Sequence, residues 1–240
     1  MRLTDFKVLT FDCYGTLIDW ETGILQALAP LLRENRARRS DDAVLADFAR
    51  HETAQEALTP RMDYSDLLGL VHRRLTAEWG FLASQEADRA FGRSVGDWPA
   101  FADSAAALAY LGQFYALVIL SNVDRRSFAA SNRRLGVAFD AVYTAQDVGS
   151  YKPDLANFRY MLEHLETRGF GKSAILHTAQ SLFHDHAPAK RVGLASAWID
   201  RRHDQSGWGA TMPPPEGARY DFRFPSMAAL VEAHRAVLRG

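Results

Sequence analysis

After Trp98, segments that favour strands alternate with segments that favour helices, and this alternation restricts the fold more than any other feature of the sequence. Short apolar runs predict strands at 116–120, 141–144, 174–176 and 195–199, and the segments between them predict helices at 125–135 and 154–166. A last helix is predicted at 226–238. Strands that alternate with helices form a parallel sheet covered on both faces. The fold class is therefore predicted to be α/β, with a doubly wound, mostly parallel sheet.

A block with helical periodicity, about 20–95, follows the first predicted strand, 6–11, and contains no strand pattern. Ser40, followed by two aspartates, predicts the beginning of one helix. Tyr64 begins another predicted helix, which Gly80 ends. We therefore expect a core domain made of residues 1–18 and 98–240, with an α-helical cap domain, 19–97, inserted after the first strand.

Composition excludes several classes of partner and location. A net charge of −1 over 240 residues gives no overall field that would attract nucleic acid or a membrane surface. No run of 18 apolar residues and no signal peptide pattern is present, and the single cysteine, Cys13, excludes an internal disulfide. We expect a cytoplasmic protein whose partner is a small molecule, without nucleic acid or membrane, and we leave a homodimer open.

Chemically active residue types follow the ends of predicted strands, where parallel sheets bind their ligands. Asp12 follows the first strand, and a carboxylate that is desolvated and aimed is a competent nucleophile. Thr16 could orient this carboxylate, and Lys152 could keep it ionised and balance the charge of a substrate. Ser121, Asn122, Lys152 and Asp185 also follow strands, so one crevice under the helical block is predicted to collect these four side chains together with Asp12.

Four short segments carry a resemblance to a known family. They are FDCYGTL at 11–17, LSN at 120–122, YKPD at 151–154 and, more loosely, AQSLFHD at 179–185. In order and spacing they resemble the four motifs of the haloacid dehalogenase superfamily. The resemblance covers nearly the whole chain and implies a Rossmann-like core with an inserted helical cap, and Asp12 as the nucleophile.

Within the superfamily, the first motif resembles that of the L-2-haloacid dehalogenases. Phosphatases of the group carry a second aspartate where this chain has Tyr14, a poor acid with a pKa near 10, and the fourth segment offers only Asp185. His177, His184 and His186 match no zinc spacing, so neither a metal nor another cofactor is expected. The resemblance implies an ester between Asp12 and C2 of a 2-substituted carboxylic acid, which water then hydrolyses.

The resemblance also suggests roles for the other residues. Asp185 matches the position that activates the water, and Ser121 and Asn122 match residues that hold the substrate carboxylate and the leaving-group side. Further candidates for substrate binding are Tyr14, Ser181, Trp20, Phe158 (where relatives often have tyrosine) and, as acceptor of a halide, Arg50 or Arg61.

Leu182 stands where the dehalogenases usually have asparagine, and His184 directly precedes Asp185. A histidine there could protonate an amine, which a chloride does not need. The leading prediction is an L-2-haloacid dehalogenase. The alternatives left open are a hydrolase that opens the ring of L-azetidine-2-carboxylate, a magnesium-dependent phosphatase, and a catalytically inactive binding protein.

Overall fold

Six parallel strands form a single sheet in the computed structural model, which describes residues 1–240. The strands are β1, Val8–Phe11; β2, Ala116–Ser121; β3, Ala141–Thr144; β4, Ile175–Ala179; β5, Ala195–Ile199; and β6, Phe222–Phe224. Their order in the sheet is β3-β2-β1-β4-β5-β6. The predicted fold class, an α/β protein with a doubly wound parallel sheet, is confirmed.

Ten α-helices surround or follow the strands. They are α1, Trp20–Glu34; α2, Asp41–Leu58; α3, Tyr64–Glu78; α4, Gln85–Arg93; α5, Ser104–Leu111; α6, Arg125–Leu135; α7, Ala145–Val148; α8, Leu155–Thr167; α9, Ala187–Arg191; and α10, Met227–Arg239. One turn of π-helix, Leu182–His186, precedes α9. None of the helices combines the length and the apolar character that crossing a bilayer requires.

Strand β1 lies in the interior of the sheet, between β2 and β4. Its four residues, VLTF, are therefore buried on both faces of the sheet. Val8 belongs to a cluster with Phe158 and Met161 of α8, whereas Leu9 and Phe11 belong to a larger cluster that includes residues of α5 and α10. The chain builds β2 and β3 on one side of β1, then β4, β5 and β6 on the other. This reversal opens a crevice at the carboxyl end of β1, where α/β proteins bind ligands.

Helices α1 to α4 lie between β1 and β2 in the chain, and no strand interrupts them. Helix α2 begins after Ser40, whose hydroxyl accepts a hydrogen bond from the amide of Ala43 at 3.3 Å, and Gly80 follows α3 in a left-handed conformation. One continuous hydrophobic cluster joins Phe11 of the sheet to Phe48 of α2 and Leu67 of α3. The division into a core, 1–18 and 98–240, and a cap, 19–97, stays a prediction.

Candidate active site

The carboxyl ends of β1, β2 and β4 bring together side chains that are far apart in the sequence. Phe11 pairs with both Ile119 and Thr178, so Asp12 lies between the ends of β2 and β4. Gly15 then turns the chain with a φ of +86°, and a side chain at this position would come within 2.9 Å of the Trp20 ring nitrogen. A larger residue would therefore meet both backbone strain and a steric clash with the Trp20 ring.

Asp12, Lys152 and Asp185 form a buried charged cluster in this crevice. The Lys152 ammonium donates to Oδ1 of Asp12 at 2.9 Å, to Oδ1 of Asp185 at 2.7 Å and to the carbonyl of Leu120 at 2.9 Å. The Thr16 hydroxyl donates to the other oxygen of Asp12 at 2.8 Å. Both oxygens of Asp12 therefore have fixed partners, and its carboxylate has a defined orientation.

Burial and charge set the protonation of this cluster. Burial alone would lower the pKa of Lys152, but the carboxylates of Asp12 and Asp185 raise it to about 12, so the ammonium stays charged. Burial likewise disfavours ionised Asp185, but Lys152 and His177 hold its pKa below the ordinary value. Burial raises the pKa of Asp12, and the ammonium and the Thr16 hydroxyl oppose this shift.

Two of the three histidines in and beside the fourth segment, His177 and His186, are held by hydrogen bonds within the protein. His177 lies with Nε2 3.0 Å from Oδ1 of Asp185 and Nδ1 2.8 Å from the Thr10 hydroxyl. His186 contacts the Ser196 hydroxyl and the carbonyl of Ala179 at 3.0 and 2.9 Å. Both rings are committed to the protein through both nitrogens, so neither ring has a free nitrogen to offer a ligand.

His184 differs from these because one of its nitrogens faces the crevice without a partner. Its Nδ1 is 3.3 Å from the Ser181 hydroxyl, while its buried Nε2 has no hydrogen bond and lies 3.8 Å from Oε2 of Glu56. Burial lowers the pKa of His184 to about 4. Near neutral pH the ring is therefore uncharged, a state that suits a proton acceptor better than the proton donor expected from the sequence.

Helix α2 contributes two carboxyl groups that the sequence analysis did not identify. Glu52 and Glu56 are 3% and 5% exposed and line the same cavity as Asp12. The Tyr64 hydroxyl donates to Glu52, and the Asn122 amide donates to Oε1 of Glu56 at 3.1 Å. Both acids continue the buried stripe of α2 that begins with Val44, and they lie four and eight residues after Phe48. Acids at core-facing positions of an amphipathic helix were the signal that could have revealed them.

Burial also changes the protonation of these two acids. It raises the pKa of Glu52 to about 8, against the hydrogen bond from Tyr64. It raises the pKa of Glu56 as well, and the charge of Glu52 adds to this shift. Without a cation beside them, both groups favour the neutral form near neutral pH.

The structure places four of the predicted substrate-binding residues, Tyr14, Trp20, Ser121 and Ser181, along the cavity. The Ser121 hydroxyl is buried without a hydrogen-bond partner, so it is free to donate to a ligand. The Tyr14 hydroxyl is already 2.8 Å from the Ser131 hydroxyl, which leaves its ring to shape the cavity.

Asn122 also lines the cavity, but its amide is committed to the protein. It accepts from the amide of Lys152 at 2.7 Å and donates to the carbonyl of Lys152 at 2.9 Å, besides its contact with Glu56. Asn122 thus fixes the backbone that carries Lys152 and holds one acid of α2.

Three candidate residues lie outside the cavity. Arg50 projects from the opposite side of α2, with its side chain 49% exposed and paired with Asp47 and Glu78. Arg61 is exposed and does not line the cavity. Phe158 is fully buried beside His177, with their ring centres 5.2 Å apart. The structure therefore brings neither arginine to the cavity.

The free volume of the cavity is about 30 Å³, which leaves room for one or two water molecules. Its walls comprise Asp12, Tyr14, Trp20, Glu52, Glu56, Tyr64, Ser121, Asn122, Val123, Lys152, Ser181, His184 and Asp185. A cavity this narrow favours a substrate with few heavy atoms, and binding one requires side chains or α2 to move.

Comparison with protein families decides the identity of the chain. The model of the haloacid dehalogenase-like hydrolases matches residues 6–177, which is more than half of the chain and includes the first three motifs. The chain is a haloacid dehalogenase-like hydrolase. No curated protein matches this hydrolase by sequence.

Solved structures similar to this hydrolase share its fold over almost the full length. The L-2-haloacid dehalogenase from Xanthobacter autotrophicus has 18% sequence identity and a TM-score of 0.77, covering 96% of this chain and 98% of its own. The defluorinating L-2-haloacid dehalogenase Rha0230 has 19% identity and a TM-score of 0.77, covering 100% and 99%. At these identities the likeness establishes the fold and not the substrate.

A third similar structure, the HAD-hydrolase YfnB from Bacillus subtilis, was bound to magnesium and has 17% identity and a TM-score of 0.74 over 97% of this chain and 98% of its own. In the present hydrolase, no group of three or more His, Cys, Asp or Glu side chains is arranged to hold a metal ion. The Lys152 ammonium lies between the carboxylates of Asp12 and Asp185, where it supplies the positive charge itself. This donor set does not fit a divalent cation.

Proposed function

We propose that this hydrolase cleaves the bond between C2 of a small carboxylic acid and a leaving group, through an ester on Asp12. The observation that carries the proposal is the geometry of Asp12. Its carboxylate is held by Thr16 and Lys152 at the carboxyl end of the central strand, directly in the cavity. A desolvated carboxylate in a fixed orientation is an effective nucleophile toward a carbon that is held beside it.

The buried cluster supports both halves of the reaction. In the first half, an oxygen of Asp12 attacks C2, the leaving group departs, and the free hydroxyl of Ser121 is available to hold the substrate carboxylate. In the second half, water attacks the carbonyl carbon of the Asp12 ester and releases a 2-hydroxy acid. Asp185 accepts a proton from this water. Because the pKa of Asp185 is lowered, the carboxyl group releases this proton again and returns to the ionised form for the next turnover.

A halide is the leaving group that the similar structures favour, since two of them are named as L-2-haloacid dehalogenases. Phosphatase chemistry is disfavoured because Tyr14 replaces a second acid and its hydroxyl is engaged by Ser131. An inactive binding protein is disfavoured because the charged cluster is complete and lines the cavity. We propose that α1 to α4 act as the cap, with α2 forming the roof of the cavity.

A second candidate, opening of a ring amine such as L-azetidine-2-carboxylate, is favoured by one specific observation. Glu52 and Glu56 lie in the cavity where no arginine is available to receive a halide. A departing halide would find no cation there, whereas a departing amine would lie beside two acids that favour the protonated form and can donate a proton to it.

The experiment that tests the ester is turnover in ¹⁸O-labelled water with enzyme in excess over substrate. Label should appear in the carboxylate of Asp12 before it appears in the 2-hydroxy acid. Label that enters the product directly would show that water attacks the substrate itself, and the proposed mechanism would be wrong. Chloroacetate, azetidine-2-carboxylate and p-nitrophenyl phosphate, each with and without EDTA, separate the candidate functions.

A further inference from the structure

The carbonyl oxygen of Thr16 is a buried acceptor that a single side chain satisfies. Thr16 is fully buried, and the only hydrogen bonds to its carbonyl oxygen come from Nε and Nη2 of Arg201, at 3.2 and 2.9 Å. Arg201 comes two residues after the end of β5, outside the four segments that carry the family resemblance. A buried carbonyl group needs a donor, because leaving it without one costs the full loss of its hydration.

The hydroxyl group of the same threonine orients the nucleophile. It accepts a hydrogen bond from the amide of Gln180 at 2.9 Å, so its own proton is left to donate to Oδ2 of Asp12 at 2.8 Å. The hydroxyl cannot turn freely relative to the backbone, because a β-branched side chain has few favourable χ1 angles. A shift of the Thr16 carbonyl group therefore moves the hydroxyl group, and with it the carboxylate of Asp12.

Arg201 also joins the segment by which the chain enters the helical block to the segment by which it leaves. Its Nη1 and Nη2 donate to the carboxylate of Asp103 at 3.0 and 2.9 Å, and its guanidinium carbon lies 4.0 Å from the ring centre of Phe101. Thr16 precedes α1, whereas Phe101 and Asp103 follow α4. The side chain of Arg201 is only 10% exposed. Its planar group with five donors can hold both segments at once, which a lysine ammonium does not match.

We propose that Arg201 is a positioning residue for the nucleophile: it holds the Thr16 carbonyl group so that the Thr16 hydroxyl keeps Asp12 aimed at the substrate carbon. This inference rests on the proposed ester mechanism and adds to it a residue that contacts neither the substrate nor the reacting atoms. Arg201 does not line the cavity that contains Asp12, and it lies on the wall of a neighbouring pocket of about 270 Å³. Misplacing a reacting group by about 1 Å can cost roughly 10²-fold in rate.

The test removes the guanidinium group and then returns it. The rate of adduct formation on Asp12 is measured in single turnovers, with whichever of chloroacetate and azetidine-2-carboxylate forms the adduct. Arg201→Ala should lower the maximal rate by roughly 10²-fold, while the substrate concentration at half-maximal rate changes little. Guanidinium chloride, at concentrations far below those that unfold the protein, should restore part of this rate, because the neighbouring pocket gives it access to the vacated space.

Arg202 provides a matched control. It adjoins Arg201, lines the same pocket and has a side chain with the same exposure, 10%. It pairs with the carboxylates of Glu21 and Asp42 and does not contact Thr16. Arg202→Ala therefore also loses two ion pairs, but it should keep the rate of adduct formation and should not respond to guanidinium.

A second measurement does not depend on turnover. The hydrogen bond from Thr16 opposes the rise in the pKa of Asp12 that burial causes. Arg201→Ala should weaken this hydrogen bond and raise the pKa of Asp12 further, whereas a loss of global stability alone would leave that pKa unchanged. NMR titration of ¹³C-labelled aspartate carboxyl groups measures the shift, and Asp12→Asn identifies the signal. Arg201→Lys, which keeps the charge, should change rate and pKa in the same directions by smaller amounts.

The outcomes distinguish this inference from the proposed function. Equal losses of rate in Arg201→Ala and Arg202→Ala would show a general effect of destabilisation and would overturn the inference. An unchanged pKa of Asp12 would overturn it as well, and if the alanine variant does not fold, wild-type values of rate and pKa in Arg201→Lys would do the same. No adduct on Asp12 from either compound in the wild type would overturn the proposed function, and the titration of Asp12 would still decide the role of Arg201.

Discussion

Replacing Lys152 with methionine tests whether one ammonium group holds the buried cluster together. Methionine keeps most of the apolar length of the side chain but removes the contacts to Asp12, Asp185 and the carbonyl of Leu120, at 2.9, 2.7 and 2.9 Å. Two buried carboxylates then face each other without a counter-charge. The variant therefore isolates the electrostatic contribution of Lys152 from its packing.

The expected magnitude follows from the geometry. The two contacted carboxylate oxygens lie no farther apart than the two contact lengths, 2.9 and 2.7 Å, placed end to end. Two like charges about 5 Å apart repel by about 3 kcal/mol at an effective dielectric constant of about 20. Removing one partner of a buried ion pair costs about 3–5 kcal/mol in other proteins. We expect Lys152→Met to lower the free energy of unfolding by a similar amount at neutral pH.

The loss should depend on pH with a definite sign. The pKa of Asp185 is held below its ordinary value in the folded protein, so the stability that the pair contributes is present above pH 4 and is lost as the pH falls through the lowered pKa. In the variant, the carboxyl groups take up protons more easily. The difference in unfolding free energy between wild type and Lys152→Met should therefore narrow as the pH falls from about 7.5 toward 4.

Urea denaturation followed by tryptophan fluorescence at both pH values measures this difference. Lys190→Met is a matched control because its ion pair with Asp221 is partly exposed, and we expect it to cost at most about 1 kcal/mol. A loss for Lys152→Met that stays below about 1 kcal/mol at neutral pH, or that does not change with pH, would refute the reasoning.

Three further predictions concern catalysis and the acids of the cavity. Asp185→Asn should release about one equivalent of leaving group and accumulate the Asp12 adduct, visible by intact mass, and continued turnover would contradict the assigned role. Exhaustive chelation should leave the rate of hydrolysis unchanged. A requirement for Mg²⁺ in a p-nitrophenyl phosphate assay would instead favour phosphatase chemistry over the proposed function. Burial raises the pKa of Glu52 to about 8, so stability should fall as the pH rises from about 4.5 toward 8, since the folded state holds the proton more tightly. Glu52→Gln should flatten this pH dependence in urea unfolding, and parallel curves for the two proteins would disprove the shift.

The sheet could be predicted from the sequence where its strands are continuous apolar runs. The predicted strands at 141–144 and 195–199 coincide with β3 and β5, and the helix at 125–135 coincides with α6. Strand β6 was not predicted, because its sequence, FRF, is short and places the charged Arg223 at its centre. This edge strand pairs only with β5, so the position of the strand depends on tertiary pairing that its own residues do not encode.

The residues of the site likewise fall into those that the sequence predicts and those that it does not. Asp12 and Ser121 could be located because they lie at strand ends, and parallel strands deliver those ends to one edge. Lys152 lies beyond α7, which follows β3, and was located through the resemblance of its segment to the third motif. Glu52 and Glu56 were missed because a buried acid and a solvated acid look the same in a helical pattern. Only the packing of α2 above the sheet edge shows that its stripe turns from the apolar core toward the cavity after Phe48. Whether Arg50 faces the cavity or the solvent depends on the same orientation of α2 about its own axis.

The cavity has walls of two separate origins, and this has an evolutionary consequence. The residues proposed for the attack stand at the ends of strands and in the loops that follow them, whereas Glu52 and Glu56 occupy successive turns of α2. Asn122 is the side chain that links the two walls by a hydrogen bond to Glu56. Two substitutions on a single helix could therefore convert one leaving-group preference into another while the nucleophile and its supports stay unchanged. Ancestral enzymes on this scaffold could diversify their substrates by mutating the roof alone.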